Sequence, residues 1–362
     1  MEIYIYGFLT AFTITLMGMP SIIKLAKQKK LYDEPDERKL HKEPIPALGG
    51  IGIFAGMFLS LSFWLPQTLY GEFKFVFCSL LIIFFLGVRD DLIPLASGKK
   101  FLGQLLAASI VVIYSDIKIP HLYGFLGIYA INYWIGMLLT IFIVLAIVNG
   151  FNLIDGINGL SGSLTVLTTI VLGVWFAILD VQQYALFAFT TTGAVVAFLK
   201  YNFTPAKIFM GDTGSMLVGL ICAVLTLKLL VFYKQGLAFP KVVVVILGIL
   251  ILPLFDMLRV FIGRLLKKKS PFHPDRTHIH HLLIDYGFSH TKATLLLVLF
   301  NIGFILLALF LQNYVRTFVA LGLMFGFALG LVSILQYGIS SKKQQKLTAV
   351  EKDTILKEVN NV

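Results

Sequence analysis

The stretch 149–162, NGFNLIDGINGLSG, sets Asn149, Asn152, Asp155 and Asn158 among four glycines between two long apolar runs. One carboxylate and three amides offer oxygen ligands for a hard cation or hydrogen bonds for a nucleotide. Glycine lets the backbone come close to a bulky ligand. Taken alone, these residues also fit a plain Gly/Asn turn between helices. A second polar point is Asp90-Asp91, which follows Arg89 at the end of an apolar run. Adjacent carboxylates at a helix C-terminus oppose the helix dipole and repel each other. A cation or a catalytic task would justify them, as would an interfacial stop signal paired with Arg89. Lys99 and Lys100 lie nine residues further on and suit phosphate as point charges.

Three further stretches carry chemistry. In FMGDTGS, Asp212 stands between glycine and threonine where a helix should begin. It reads either as a helix cap or as a carboxylate holding Mg²⁺ against a diphosphate. In SPFHPDRTHIHH, four of the seven histidines fall within nine residues. The His-Glu-x-x-His spacing of metalloproteases is absent. On a helix, His278 and His281 would share a face with Arg276 nearby. Imidazoles and a guanidinium facing phosphates is the preferred reading, a zinc site and a solvated loop being the alternatives. RKLHKEPIPALGG, residues 38–50, combines cations with Pro44, Pro46, Gly49 and Gly50 and is weak by itself. Asp256 lies one turn before Arg259, and a structural ion pair accounts for it as well as a site does.

The elements that must position these residues are apolar. With 58% hydrophobic and only 14% charged residues, the chain reads as a polytopic membrane protein, and a soluble domain is excluded. Candidate spans are 4–25, 47–66, 72–88, 101–115, 132–149, 159–179, 183–199, 213–233, 241–262, 293–312 and 315–340. Two of them, 72–88 and 101–115, are short for the roughly 20 residues a span needs. The expected fold is therefore an all-α helical bundle with eleven transmembrane helices, or ten. Residues 1–340 form one membrane domain, and 341–362 form a polar, mobile cytoplasmic tail. Of 30 lysines and arginines, 24 fall in one set of alternating loops and five in the other. That asymmetry puts the N-terminus outside and the C-terminus in the cytoplasm. The net charge of +11 sits mostly in these loops, so it reports orientation, and nucleic-acid binding is not expected. Cys78 and Cys222 lie inside apolar runs and suggest neither a disulfide framework nor a zinc site. No basic segment precedes the first apolar run, so no cleavable signal peptide is expected.

In this topology every motif above falls on the inner side. A cation-coupled transporter should hold its charges near mid-membrane and show internal repeats; here the charges gather at one face and no repeat is seen. That pattern suits an enzyme joining a water-soluble substrate to a lipid. A zinc membrane hydrolase is the remaining rival, against which the missing ligand spacing argues.

The ordered set RKLHKEPIPALGG, GVRDDLIPL, NGFNLIDGINGLSG, FMGDTGS and SPFHPDRTHIHHLL resembles the polyprenyl-phosphate N-acetylhexosamine-1-phosphate transferases over nearly the whole chain. The His-Ile-His-His form is similar to the bacterial GlcNAc-type branch, whereas three consecutive histidines are usual in the MurNAc-pentapeptide branch. The resemblance implies transfer of a sugar 1-phosphate from a UDP-sugar to undecaprenyl phosphate with release of UMP. It further implies a multi-pass protein of the inner (plasma) membrane with a cytoplasm-facing site, dependence on Mg²⁺ with Mn²⁺ as the alternative ion, and a homodimer. It places Asp90 and Asp91 at the reacting phosphates, Asp212 and Asn152 on the metal and Lys100 on the diphosphate. Asp155 and Asn158 match positions near the nucleotide, and Arg276, His278, His280 and His281 match the sugar-diphosphate side. Many bacterial members carry Asp where this chain has Asn158, so Asn158 is not an essential acid. The departure leaves the donor open between UDP-GlcNAc and another UDP-N-acetylhexosamine.

Overall fold

The computed structural model describes residues 1–32, 44–115, 117–119, 121–125, 127–234, 241–268 and 277–360. These residues form twelve α-helices: α1 (Glu2–Gln28), α2 (Gly49–Trp64), α3 (Tyr70–Leu92), α4 (Ser97–Tyr114), α5 (Tyr133–Ile154), α6 (Leu160–Ile178), α7 (Gln182–Asn202), α8 (Gly211–Lys234), α9 (Val242–Leu266), α10 (Ile279–Tyr286), α11 (His290–Tyr314) and α12 (Thr317–Asn360). An antiparallel hairpin, β1 (His121–Phe125) and β2 (Ile128–Ala130), interrupts the helices between α4 and α5. Each of the eleven expected apolar runs overlaps one of these helices, the run 47–66 only the 16 residues of α2. The protein is an all-α polytopic membrane protein. Among the described residues, α1, α5, α6, α7, α8, α9, α11 and α12 are each long and apolar enough to cross a membrane.

Lipid dictates this architecture, because a helix satisfies its backbone hydrogen bonds internally where no water can. It also explains the surface: Phe63 is 76% exposed and Leu266 80% exposed, as lipid-facing side chains are. α8 is the most enclosed span and packs against α2, α3, α5, α6 and α9. Away from the motifs, an aromatic cluster closes the bundle: Phe73 lies 5.2 Å from Tyr184 and 5.5 Å from Phe187, and Phe176 lies 5.5 Å from Tyr184. Pro253 interrupts α9 and cannot donate to the carbonyl of Ile249. Asn301 of α11 takes that task, its Nδ2 donating to Ile249 O at 3.0 Å. The helix can therefore carry a proline at membrane depth. α12 runs without a break past Ser341 to Asn360.

Candidate active site

The polar centre forms where α3 and α5 end and α4 and α8 begin. Lys100 of α4 sits between two carboxylates, with Nζ 3.0 Å from Asp90 Oδ2 and 2.7 Å from Asp212 Oδ1. Asn152 of α5 donates from Nδ2 to Asp212 Oδ1 and, at 2.9 Å, to Ser215 Oγ. The other oxygen of Asp90 accepts from the backbone N–H of Leu95 at 2.6 Å. Asp91 does something different. Its carboxylate accepts from the N–H of Asp212 at 2.7 Å, the N–H of Thr213 at 3.0 Å and the Thr213 hydroxyl at 2.6 Å. It thus satisfies the N–H groups that the first turn of any helix leaves open. Asp212 is not the cap of α8. It lies in the first turn, and Asp91 caps that turn from a neighbouring helix.

Two sequence features make this junction. Gly211 has φ +74°, and a side chain there would run into the Asp91 carboxylate, so the entry to α8 requires glycine. The Pro-Ile-Pro-Ala-Leu-Gly-Gly segment holds the preceding residues by backbone pairing. Phe209 N–H donates to Pro46 O at 2.7 Å, while Gly49 and Gly50 donate to Phe209 O and Met210 O, each at 2.9 Å. The end of a motif that was weak in sequence therefore anchors the Phe-Met-Gly-Asp turn. Residues 38–43 of that motif lie outside the described residues.

A cleft of ≈ 510 Å³ opens beside this centre, lined by Asp91, Asn152, Asp155, Asn158, Asp212 and His281, and by His290, which sequence reading had not singled out. The loop bearing Asp155 and Asn158 is fixed from two sides, the end of α7 and the start of α11. Asn202 Oδ1 accepts from Gly159 N–H at 2.7 Å, and Thr204 Oγ1 lies 3.2 Å from Asn158 Nδ2. From α11, Thr294 Oγ1 donates to Asn158 O at 2.8 Å and His290 Nδ1 accepts from Asn158 N–H at 3.5 Å. A solitary histidine at the start of a helix has no sequence pattern to betray it. Asp155 follows the last residue of α5, and desolvation, reinforced by the charges of Asp212 and Asp91, holds its pKa well above the usual carboxylate range.

The histidine segment is arranged otherwise than its spacing predicts. α10 starts at Ile279, so His278 lies outside the helix and does not share a helical face with His281. His278 is instead buried on α9, its Nδ1 2.9 Å from Asp256 Oδ2. Asp256 Oδ1 accepts from Ile279 N–H at 3.1 Å and from Arg259 Nη2 at 2.8 Å, and Arg259 also donates to Thr277 O. The Asp256–Arg259 pair is present and caps α10 from α9. His280 is 1% exposed, and its ring packs on Gly156 between His278 and His281. Desolvation, then the neighbouring His281, lowers its pKa to about 3, so it is neutral. Only His281 of the three reaches the cleft lining. Arg276 lies outside the described residues.

Fold and site together define a polytopic membrane protein with a carboxylate-rich polar cleft where its helices end. The model of glycosyl transferase family 4 matches residues 73–230. A probable undecaprenyl-phosphate N-acetylglucosaminyl 1-phosphate transferase of Bacillus subtilis (strain 168) is 32% identical over 305 residues, covering 83% of this chain and 82% of that protein. The undecaprenyl-phosphate alpha-N-acetylglucosaminyl 1-phosphate transferase of Escherichia coli (strain K12) is 31% identical over 303 residues, 80% of this chain and 79% of its own. The decaprenyl-phosphate N-acetylglucosaminephosphotransferase of Mycobacterium tuberculosis (strain ATCC 25618 / H37Rv) is 31% identical over 317 residues, 80% and 78% respectively. The chain belongs to glycosyl transferase family 4.

Proposed function

We propose that this protein transfers N-acetylglucosamine 1-phosphate from UDP-GlcNAc to undecaprenyl phosphate at the cytoplasmic face of the inner membrane, starting a lipid-linked envelope glycan. The observation that carries this reading is Lys100 held between Asp90 and Asp212, with Asn152 on the same carboxylate, beside a cleft lined by Asp155 and Asn158. The names of the relatives support the lipid and the sugar.

The reaction is an exchange of phosphoanhydrides. An oxygen of the lipid phosphate bonds to the β-phosphorus of UDP-GlcNAc, the bond from that phosphorus to the α–β bridging oxygen breaks, and UMP leaves. One anhydride is lost and one made, so the reaction runs readily backwards when UMP is added. The obstacle is electrostatic, since two unit charges at ~4 Å repel by about 4 kcal/mol at an effective dielectric of 20. Lys100 opposes this with a cation held against Asp212, a residue of the cleft lining, and can exchange its carboxylate partners for phosphate oxygens. The donor set also fits Mg²⁺, or Mn²⁺ in its place. The Asp212 carboxylate, the Asn152 amide oxygen after a half-turn of the amide, and the Ser215 hydroxyl are hard oxygen donors that would hold such an ion. When bound, the ion supplies further neutralisation of the diphosphate. Asn158 offers an amide for the nucleotide, and His281 and His290 offer imidazoles along the same cleft.

Membranes carrying the protein, incubated with undecaprenyl phosphate, Mg²⁺ and radiolabelled UDP-GlcNAc, should pass label into the organic phase. Omitting Mg²⁺, or introducing Lys100→Met, should abolish it. Folded protein that labels lipid with another UDP-N-acetylhexosamine alone would change the donor; no label from any such donor would overturn the reading.

A further inference from the structure

Lys100, Asn152 and Asp212 bring α4, α5 and α8 together at the polar centre. The same three helices meet a second time, one turn deeper in the bundle. Gln104 stands four residues after Lys100, Met216 four after Asp212, and Asn149 three before Asn152. Asn149 Nδ2 donates to Gln104 Oε1 at 2.9 Å and to the carbonyl of Leu145 at 2.8 Å. Gln104 Nε2 donates to Met216 Sδ at 3.1 Å, and Gln104 is 2% exposed. Residues three or four apart lie on one helix face, about one 5.4 Å pitch apart. The deeper joint therefore lies directly beneath the first and links the same three helices, through Gln104 of α4 where the first joint runs through Asp212 of α8.

Stability alone is a poor reason for amides at this depth. A hydrogen bond between membrane helices contributes only about 0.6–2 kcal/mol, and an apolar pair would pack there as well. A bonded pair of amides does one thing that leucines do not: it fixes register. Sliding one helix by a residue, about 1.5 Å, breaks the bond, and a misplacement near 1 Å at a reacting centre costs on the order of 10²-fold in rate.

We propose that Gln104 and Asn149 are positioning residues that hold α4 and α5 at fixed heights against α8, and so set Lys100 and Asn152 around Asp212. The kinetic consequence rests on the transferase reading; the register itself does not.

The test compares wild type with Q104L, N149L, Q104L/N149L and the exchanged pair Q104N/N149Q, all purified in detergent. Expected for Q104L/N149L is a melting temperature near wild type, with kcat about 10–100-fold lower and KM for UDP-GlcNAc within about threefold. The double variant should be no worse than either single one, and the exchanged pair should recover at least half of kcat. Register is read without activity by spin labels at positions 114 and 153, at opposite ends of α4 and α5, after Cys78 and Cys222 are replaced by alanine. In the double leucine variant the interlabel distance should shift or broaden by about 1.5 Å or more. Wild-type kcat in that variant would overturn the proposal. So would an unchanged distance, or a kcat loss that only follows melting temperature through all variants. If wild type makes no lipid-linked product, the transferase reading fails instead, and the distance measurement alone decides the register.

Discussion

Asp90 and Asp91 are identical neighbours with different surroundings, because successive residues on a helix point about 100° apart. Asp90 meets Lys100 and Leu95, and Asp91 meets the first turn of α8. An acceptor at a helix N-terminus stabilises by about 0.5–2 kcal/mol, and its charge favours the same end of the helix dipole. Asp91→Ala should therefore lower the melting temperature in detergent more than Asp90→Asn does, since asparagine keeps an oxygen for Leu95. If the two fall equally, Asp91 is not capping. His280 makes a prediction about acid. Its pKa is about 3 in the fold against an ordinary value of 6.5. The unfolded chain binds this proton below pH 6.5 and the folded protein only near 3, so stability falls as pH drops through that window. The slope is at most about 1.4 kcal/mol per pH unit. His280→Leu should flatten the fall in melting temperature between pH 7 and pH 5; an unchanged slope would assign acid lability elsewhere.

At the scale of elements, the site is made of helix ends, and what holds each end is seldom on its own helix. α8 is capped from α3, and α10 from α9. Breaking a buried ion pair by removing one charge costs about 3–5 kcal/mol, so Asp256→Asn should destabilise the protein and release the start of α10. KM for the UDP-sugar should then rise more than kcat falls. Asp256→Asn combined with Arg259→Met should recover stability and leave KM high; recovery of both would make the clamp structural only. These cross-helix partners also explain what the sequence displayed and what it hid. Helices of lipid-length apolar residues are legible because lipid permits little else. Lys100, Asn152, Asp155 and Asp212 are legible because polar residues stand out at the ends of such runs. Asp91 as a cap, and Gln104 under Lys100, are not legible: their partners lie 121 and 112 residues away and share no local pattern. The start of α10 is hidden in the sequence because its cap is supplied by α9, so the local run His278–His281 reads as one helical face although the helix begins at Ile279.

At the scale of the whole molecule, the cleft has two walls of different parentage. Asp91, Asn152, Asp155, Asn158 and Asp212, with Lys100 paired to Asp212 behind them, all come from the stretch that matches the family model, residues 73–230. His281 and His290 come from beyond it, on α10 and α11, which pack with α9 and α12. The wall with Asp91 and Asp212, backed by Lys100, would meet the diphosphate that every donor shares and the phosphate of the lipid acceptor. The other would meet the part by which donors differ. The two could then have separate histories. A chimaera carrying residues 241–341 of a relative that uses a different sugar should inherit that relative's donor preference while keeping its own dependence on Lys100, as competition between labelled UDP-sugars would record. A chimaera that keeps this chain's donor would put selectivity in the first wall. The capped junction between α9 and α10 would then be a seam along which new sugars enter the lineage without disturbing the chemistry beside it.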